Sequence, residues 1–587
     1  MVKQLMKSIR EFKLATILTP TFVVGEVIIE ALIPFLISLL INDIKAGCDL
    51  SVILGYAWKL VVLSLLSLLC GYLAGIYCAE ASTGFAKNLR YDIFSNIQKF
   101  SFSNIDKFSS ASLVTRLTTD IQNVQMAFMM IIRTAVRAPL NLIFSFTMAY
   151  IMGGSMAVIF LIIIPFLGIG LYLIVRTVMP VFKKGFPLFD KITRIVEENV
   201  KGIRVVKSFV REDYEIEKFD ETSNDIRKMF TRAEQIIALN NPLMQISIYA
   251  VMLFVLMFGS EMIIKTNGTS LDVGQLSTLM TYGFQIMVSL MMLSMVFVMI
   301  TFSEESCKRI VEVLNEKSSI TSKENAITEV KDGSIDFDHV RFKYSPTAER
   351  PVLENIDVHI KSGETIGIIG GTGSAKSSFV QLIPRLYDVT EGTVRVGKED
   401  VRDYDLVTLR DSVAMVLQKN VLFSGTIADN IRWGNKDATL EEVKHVCHLA
   451  CADEFIEQMP DGYDTWIEQG GTNVSGGQKQ RLCIARALLK QPKILIMDDS
   501  TSAVDTKTDA IIRKAMKEYI PETTKIIIAQ RTSSVEDADR IIVLDGGKID
   551  AIGTSEELLK TNQIYREVYL SQNKQGTEEI VEEGGVR

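Results

Sequence analysis

Long runs without charged side chains mark the first half of the chain. Between Arg137 and Arg176 lie 38 residues that include no Asp, Glu, Lys or Arg. As one helix with a rise of about 1.5 Å per residue, this run would extend for ~57 Å, whereas the hydrocarbon core of a bilayer is only about 30 Å thick. The run therefore predicts two membrane spans, joined by a turn at Gly153-Gly154-Ser155.

Four further apolar runs raise the predicted number of spans to six, and they occupy residues 14–42, 60–79, 235–260 and 273–303. The loops that would lie on one side of the membrane carry most of the basic residues, chiefly within residues 87–116 and 183–232. By the positive-inside rule this side is cytoplasmic, so both termini and everything after the last span are expected in the cytoplasm.

The pattern changes after Ser303. A polar stretch at residues 317–332 is followed by Ser334–Val340, whose alternation of apolar and polar residues predicts a strand. The rest of the chain alternates short β-branched runs with helical segments, which is typical of an α/β domain. We therefore predict a helical membrane domain with six spans at residues 1–316, a linker at 317–332, an α/β P-loop ATPase domain at 333–572 and a disordered acidic tail at 573–587.

Composition and charge narrow the class of protein further. The chain is 48% hydrophobic, which excludes a disordered chain or a disulfide scaffold. Its 63 basic and 70 acidic residues give a net charge of −7, so no positive field favours nucleic acid as a partner. The seven cysteines are scattered and odd in number, as expected for thiols of a reducing compartment or of membrane helices.

A glycine-rich segment in the α/β domain predicts a phosphate-binding loop. The apolar strand Thr365–Ile369 runs into it, and an apolar helix follows from Phe379. In such a loop backbone N–H groups face the phosphates, Lys376 neutralises their charge and the Ser377 hydroxyl can ligate Mg²⁺. Ala375 stands where this loop usually has glycine, and its Cβ restricts the loop dihedrals. The predicted ligand-binding residues are Gly371, Thr372, Gly373, Ser374, Ala375, Lys376, Ser377 and Ser378.

Two more motifs make a coincidental glycine-rich turn a weak alternative. The apolar strand Ile494–Met497 ends in Asp498, a carboxylate placed to hold Mg²⁺ beside a phosphate. Upstream of it stand Ser475, Gly476, Gly477 and Gln478, followed by a helix. With these motifs the chain resembles the ATP-binding cassette transporters, specifically exporters with six spans fused ahead of one nucleotide-binding domain.

The resemblance implies roles for several residues. It implies that Tyr344 stacks on adenine, that Gln418 is the Q-loop glutamine that meets Mg²⁺, and that Asp505 closes the D-loop at residues 502–505. Short turns near Phe102–Lys107 and Ser208–Tyr214 resemble the coupling helices of the family, with a plain helical hairpin as the alternative. In this family two cassettes dimerise head to tail, so the Ser475–Gln478 signature would contact the ATP bound by the partner chain.

Two departures from the family pattern concern the site at which this chain binds its own ATP. Asp499 stands where hydrolytic sites have glutamate, and it is shorter by roughly 1.3 Å against a hydrogen-bonding window of about 2.6–3.2 Å. Gln530 stands where the family has a switch histidine, and glutamine can donate a hydrogen bond but cannot carry imidazolium charge. We therefore predict a heterodimer in the plasma membrane of a bacterium, with a partner half-transporter that has both the glutamate and the histidine.

Such a heterodimer would use ATP and Mg²⁺ to export an amphipathic drug, a lipid or a peptide from the cytoplasm by alternating access. Two other functions stay open from the residues alone. One is a homodimeric exporter that hydrolyses ATP slowly with Asp499 as its base, and the other is an ATP-gated channel or regulatory subunit. Whether Ala375 and Asp499 are natural or engineered also stays open.

The membrane spans carry few residues that point to a substrate. Glu26 and Glu30 are spaced i, i+4 on the first span, and Arg133 and Arg137 are spaced alike on the third. Because a charge within a membrane is costly, these four residues predict either a substrate cavity or a structural ion pair. The methionine content of the sixth span suits an adaptable apolar cavity, although ordinary helix packing is the preferred interpretation; its methionines include Met287, Met291, Met292, Met295 and Met299.

Overall fold

The computed structural model describes residues 1–345, 347–499 and 504–572, without the side chains of residues 182, 183, 186, 190 and 506. The predicted tail at 573–587 lies outside the described residues. The chain divides into two compact units. One comprises Met1–Lys99 and Ser109–Glu316, and the other comprises Phe100–Phe108 and Lys317–Arg587. We call them the membrane unit and the cassette unit.

The α-helices are, in chain order, α1 (Val2–Leu5), α2 (Lys13–Lys45), α3 (Leu50–Ile97), α4 (Phe102–Phe108), α5 (Ser110–Thr115), α6 (Ile121–Ile132), α7 (Thr134–Gly153), α8 (Val158–Ser208), α9 (Glu212–Ala238), α10 (Asn240–Thr266), α11 (Val273–Asn315), α12 (Lys376–Gln381), α13 (Leu406–Ser412), α14 (Ile427–Arg432), α15 (Leu440–Leu449), α16 (Asp453–Glu457), α17 (Gly476–Leu489), α18 (Thr506–Tyr519), α19 (Ser555–Thr561) and α20 (Gln563–Gln572). The strands are β1 (Ile335–Phe342), β2 (Leu353–Ile360), β3 (Thr365–Gly370), β4 (Glu391–Val396), β5 (Glu399–Asp400), β6 (Val413–Val416), β7 (Gly425–Thr426), β8 (Trp466–Ile467), β9 (Ile494–Asp498), β10 (Thr524–Ile528), β11 (Arg540–Asp545) and β12 (Lys548–Gly553).

The membrane unit contains helices long and apolar enough to cross a bilayer. They lie in five stretches of the described chain, of which the third, Ser110–Val181, is 72 residues long. That stretch is interrupted by the 3-10 turn Gly154–Ala157, where Gly154 has a φ of 49°. Glycine adopts this left-handed conformation at no steric cost. The turn separates α7 from α8 at the predicted position, so the six predicted spans correspond to α2, α3, α6 with α7, α8, α10 and α11.

Close packing at small residues and one polar cluster hold these helices together. A Cβ at Gly274 of α11 would lie 2.3 Å from the backbone oxygen of Ser38 in α2, so these two helices need glycine at their contact. Near the other end of α11, Ser306 Oγ and Arg309 Nε donate hydrogen bonds to the buried Asp120, both at 2.8 Å. This cluster ties the segment before α6 to α11.

The cassette unit is built on a six-stranded sheet with the order β12-β11-β3-β10-β9-β6. Strands β11, β3, β10, β9 and β6 are parallel neighbours, and all five residues of both β9 and β10 are buried. The apolar runs Ile494–Met497 and Ile526–Ile528 within them fit a sheet that is covered on both faces. Because parallel strands end at one edge, the segments that follow β3, β10, β9 and β6 meet there. The predicted strand at 334–340 corresponds to β1, which belongs to a second sheet ordered β2-β1-β4-β5.

Of the two turns that resemble coupling helices, the first forms α4 and belongs to the cassette unit. Tyr387 donates a hydrogen bond to Asp106 Oδ2 at 2.9 Å, and its ring lies 6.0 Å from that of Phe102. Burial raises the pKa of Tyr387, and the neighbouring Asp106 raises it further. The second turn joins α8 to α9 in the membrane unit and exposes Phe209 and Val210, at 72% and 81%.

Candidate functional site

The carboxyl edge of the parallel sheet holds a pocket of about 490 Å³. The phosphate-binding loop after β3, Gln418 after β6, Asp498 at the end of β9 and Gln530 after β10 all line it. The sheet order explains this convergence, because these four strands are neighbours although their motifs are far apart in the sequence. All predicted loop residues from Gly371 to Ser378 line the pocket.

The lysine of the loop is turned toward the loop backbone. Lys376 Nζ donates to the carbonyl oxygens of Gly370 at 2.8 Å and Gly371 at 2.9 Å, and it lies 3.3 Å from Ser374 Oγ. Burial lowers the pKa of Lys376, while the carboxylates of Asp498 and Asp499 act in the opposite direction. The ammonium group is therefore positioned at the centre of the loop, where it can neutralise a phosphate.

Ala375 adopts the backbone conformation that normally requires glycine. Its φ is 70° and its ψ is 22°, in the left-handed region, at the residue that precedes α12. A non-glycine residue in this conformation costs roughly 1–2 kcal/mol. Because of its Cβ, Ala375 is therefore a strained residue within the phosphate-binding loop, as the sequence predicts.

The oxygen atoms beside the loop suit a magnesium ion bound to a nucleotide. Asp498 is only 5% exposed, and burial raises its pKa, while a hydrogen bond from Ser377 opposes that shift. A hydroxyl and a carboxylate are hard oxygen ligands of the kind that Mg²⁺ prefers. Ser377, Asp498 and Gln418 would hold the ion, which when bound neutralises charge on the phosphates.

The carboxylate at the expected position of the catalytic base is held by two carboxamides. Gln530 Nε2 donates to Asp499 Oδ2 at 2.7 Å, and Gln418 Nε2 donates to the same oxygen at 3.3 Å. Asp499 itself is 9% exposed and has a φ of 49°. The structure thus brings the three residues of the predicted degenerate site into one hydrogen-bonded group.

The last helix of the cassette unit also reaches this site, which the sequence did not suggest. Gln572 Nε2 donates to the backbone oxygen of Gln530 at 2.8 Å, and the Thr532 N–H donates to Gln572 Oε1 at 2.9 Å. Val568 of the same helix lines the pocket. We call residues 530–534 the switch loop, and Gln572 fixes its backbone. No motif marks Gln572, because α20 shows only the periodicity of an amphipathic helix.

The signature lies outside this pocket. Ser475 and Gln478 cap α17 reciprocally, with Gln478 N–H donating to Ser475 Oγ at 3.3 Å and Ser475 N–H donating to Gln478 Oε1 at 2.9 Å. Among the described pocket-lining residues there is none from 475–478, and Ser475 and Gly476 are exposed. The N-terminus of α17 is therefore accessible to an anion other than the phosphates bound at this chain's own phosphate-binding loop.

Two other predicted residues lie at the margins of the site. Tyr344 is 44% exposed, and its hydroxyl lies 2.8 Å from Ser378 Oγ, which places the ring beside α12 and not among the pocket-lining residues. Asp505 caps α18 by accepting from the Thr508 N–H at 2.9 Å, and this bond lowers the pKa of Asp505. Residues 502 and 503 of the predicted D-loop lie outside the described residues.

Three of the four predicted charged residues in the membrane spans meet. Arg137 of α7 donates to Glu26 Oε1 at 2.9 Å and to both oxygens of Glu30, at 2.8 and 3.0 Å. Glu26 Oε2 is buried and has no hydrogen-bond partner among the described residues. Arg133 makes no ion pair within 4.0 Å with any described side chain. This geometry favours the ion-pair interpretation for Glu26, Glu30 and Arg137.

Comparison with known proteins identifies the family. Residues 16–302 match the ABC transporter transmembrane region, and residues 353–502 match the ABC transporter domain. The ABC transporter ATP-binding protein YfiB of Bacillus subtilis (strain 168) is 34% identical over 554 residues, which is 94% of this chain and 96% of that protein. The chain belongs to the ABC transporter family.

Further similarities agree with an exporter architecture for this ABC transporter. The ATP-dependent lipid A-core flippase of Desulfotalea psychrophila is 31% identical over 504 residues, covering 85% of this chain and 87% of that protein. A solved structure of a bacterial Atm1-family ABC exporter with ATP bound superposes with a TM-score of 0.82 at 24% identity, covering 96% of this chain and 98% of that one. The predicted fold, a helical membrane domain followed by an ABC ATPase domain, is thereby confirmed.

Proposed function

We propose that this ABC transporter is the degenerate-site half of a heterodimeric, ATP-driven exporter. The observation that supports it most is the pairing of Asp499 with Gln530. A general base must accept a proton from water within hydrogen-bonding distance. Here one oxygen of a shortened carboxylate already accepts from two carboxamides, so it is poorly disposed to accept from water. The chain would bind ATP and Mg²⁺ at this site and hydrolyse the ATP slowly or not at all.

The intact signature supports a partner of a particular kind. Ser475, Gly476, Gly477 and Gln478 keep the family sequence and lie outside the chain's own pocket. They would complete the ATP site of a second half-transporter that has glutamate after its acidic strand and a switch histidine. Hydrolysis would then take place at the partner's ATP site, to which this chain contributes its signature. It would not take place at the site that contains Lys376 and Asp499.

The membrane unit and the relatives support the transport part of the proposal. The uncharged spans fit a multi-pass protein of the plasma membrane, and the basic loops favour a cytoplasmic cassette by the positive-inside rule. Two relatives are named ATP-dependent lipid A-core flippases, which favours a lipid among the amphipathic drugs, lipids and peptides considered. ATP-driven closure of the cassettes would export the substrate by alternating access.

Paired substitutions in the complex test this assignment. In the heterodimer, Ser475→Ala in this chain should lower ATP turnover by about 10²–10³, the usual effect of removing a donor that stabilises transferring charge. Lys376→Ala should lower turnover by less than about tenfold, because it affects the site with little hydrolysis. Thr472→Ala, an exposed substitution three residues before the signature, is the matched control.

Each alternative function predicts a different outcome. A stronger effect of Lys376→Ala than of Ser475→Ala would contradict the asymmetric assignment. Robust turnover by the chain alone would support a homodimeric exporter. Substrate flux that continues in vesicles after hydrolysis is blocked would support an ATP-gated channel.

A further inference from the structure

Two cavities follow one another along α8 in the membrane unit. The first, of about 440 Å³, lies between α8, the junction of α9 and α10, and α11. The second, of about 640 Å³, lies between α8 and α9. Met179 lines the first cavity and Pro180 lines the second, so the two are adjacent on the helix. We call them together the α8 groove.

The groove lies at the cytoplasmic end of the predicted spans. From Val158 to Arg176, α8 rises about 27 Å, close to the ~30 Å thickness of the hydrocarbon core. Val178 of the first cavity therefore lies where the hydrocarbon of the cytoplasmic leaflet ends, and Leu171 lies about 10 Å inside that leaflet. Lys184 of the second cavity lies about 12 Å beyond Arg176, at the level that lipid head groups and their basic partners occupy.

The first cavity is lined almost entirely by apolar side chains, several of them methionines. Met291, Met292 and Met295 of α11 line it, whereas Met287 is fully buried in the helix packing. The methionine-rich span therefore serves both purposes considered from the sequence, and helix packing alone does not account for it. Unbranched, polarisable methionine side chains adapt to flexible apolar ligands.

Asn240, at the start of α10, contributes a polar atom beside this cavity. Its side-chain oxygen is buried and accepts no hydrogen bond from any residue that the structure describes. Buried polar atoms are nearly always paired in folded proteins. Because Asn240 lines the cavity, a ligand with a donor such as a hydroxyl group could satisfy this acceptor.

The second cavity is lined by three basic side chains and one acidic side chain. Lys184, Lys228 and Arg232 line it with Asp225, and none of the three forms an ion pair within 4.0 Å among the described side chains. Three other lysines of the same two helices are paired. Lys201 pairs with Glu197, Lys207 with Glu212, and Lys218 with Glu198 and Glu215. The groove therefore gathers three basic side chains, and Asp225 is the one acidic residue among the described residues that line it.

We propose that the α8 groove binds a phosphate-bearing anionic lipid from the cytoplasmic leaflet. Its acyl chains would occupy the methionine-lined cavity, a hydroxyl would donate to Asn240 Oδ1, and its phosphate would lie against Lys184, Lys228 and Arg232. The apolar cavity lies at the level of the acyl chains and the basic cavity lies at the level of the phosphate, as in a lipid of the cytoplasmic leaflet. As the substrate class of the exporter, this lipid deepens the proposed function and rests on it.

Binding can be measured on the full-length chain without ATP and without a partner. Native mass spectrometry in detergent would be used to titrate phosphatidylglycerol, phosphatidylcholine and inorganic phosphate. A cation near an anionic lipid surface contributes about 1 kcal/mol, or about fivefold in affinity. Replacing Lys184, Lys228 and Arg232 together by glutamine should therefore weaken phosphatidylglycerol binding by about 100-fold.

The matched control replaces Lys201, Lys207 and Lys218 by glutamine, which removes the same charge from the same two helices outside the groove. It should change the affinity by less than about threefold. Asn240→Leu should weaken binding by up to about tenfold, the usual limit for one neutral hydrogen bond. Equal losses in both triple variants, equal affinity for phosphatidylcholine, or displacement of the lipid by inorganic phosphate would each overturn the proposal.

The outcome is separable from that of the proposed function. If the lipid does not bind but Ser475→Ala still silences the heterodimer, only the groove assignment is wrong. If the lipid binds as expected but the chain alone hydrolyses ATP rapidly, the groove assignment stands and the asymmetric exporter does not.

Discussion

Replacing Asp499 by glutamate and Gln530 by histidine should restore ATP hydrolysis at the chain's own site, and the two changes should reinforce each other. Glutamate alone regains the missing length. However, Gln530 would remain 2.7 Å from the position of the present carboxylate oxygen and could still bind the new carboxylate. The histidine removes that competing donor and supplies the imidazole that the family uses.

The structure sets the size of the expected effect. A hydrogen bond to a charged group contributes about 1.5–3 kcal/mol, and each 1.4 kcal/mol corresponds to about tenfold. A positioned general base contributes about 10²–10⁴ in rate. We therefore expect Asp499→Glu alone to raise turnover by less than about tenfold, and the double variant to raise it by about 10²–10⁴.

The assay is the steady-state ATP turnover of the four members of this double-mutant cycle. Each is the full-length chain, reconstituted at high protein-to-lipid ratio so that two copies can pair. Every copy carries an intact signature, so a pair of double variants contains all the groups that the family uses. Asp545→Glu, at the exposed end of β11, controls for adding a methylene elsewhere in the cassette unit.

Multiplicative effects of the two substitutions would refute the coupling between Asp499 and Gln530. A double variant no faster than the unmodified chain would refute the broader view that these two residues cause the slow hydrolysis. The cycle distinguishes both results, because the interaction energy is the effect of the double variant minus the sum of the effects of the two single variants.

Three other substitutions test separate parts of the structure. Ala375→Gly should stabilise the cassette by about 1 kcal/mol, because it relieves a left-handed alanine at some cost in unfolded-chain entropy; an unchanged or lower melting temperature would contradict this. Arg137→Met should destabilise the membrane unit by about 3 kcal/mol by leaving the buried Glu26 and the partly exposed Glu30 unpaired, and adding Glu26→Gln with Glu30→Gln should recover most of the loss in thermal unfolding; failure of the recovery would show that charge is not the cause. Gln572→Ala should speed amide hydrogen exchange in the switch loop by about tenfold, and unchanged exchange would mean that α20 does not fix the loop.

Local sequence patterns were sufficient for much of this fold. The length of the uncharged run after Arg137 requires a turn, and Gly154 provides it with a positive φ. The alternation at residues 334–340 corresponds to β1. The restriction at Ala375 also follows from its Cβ alone, because it concerns the dihedrals of a single residue.

Features that depend on distant contacts could not be derived in this way. Arg137 is 111 residues from Glu26, and only helix packing decides whether the two pair with each other or with a substrate. The order of the parallel strands likewise brings together motifs that sequence spacing leaves separate. Gln572 and the α8 groove were missed for the same reason, since neither belongs to a motif and both arise from the packing of helices.

The central claim is that this chain binds an ATP that it hardly hydrolyses and completes the hydrolytic site of a different chain. The most direct test is steady-state ATP turnover by the purified full-length chain, free of any second subunit, beside the same amount of chain in complex with its partner. We predict that the lone chain reaches about a hundredth or less of the turnover of the complex. Turnover by the lone chain equal to that of the complex would contradict the claim.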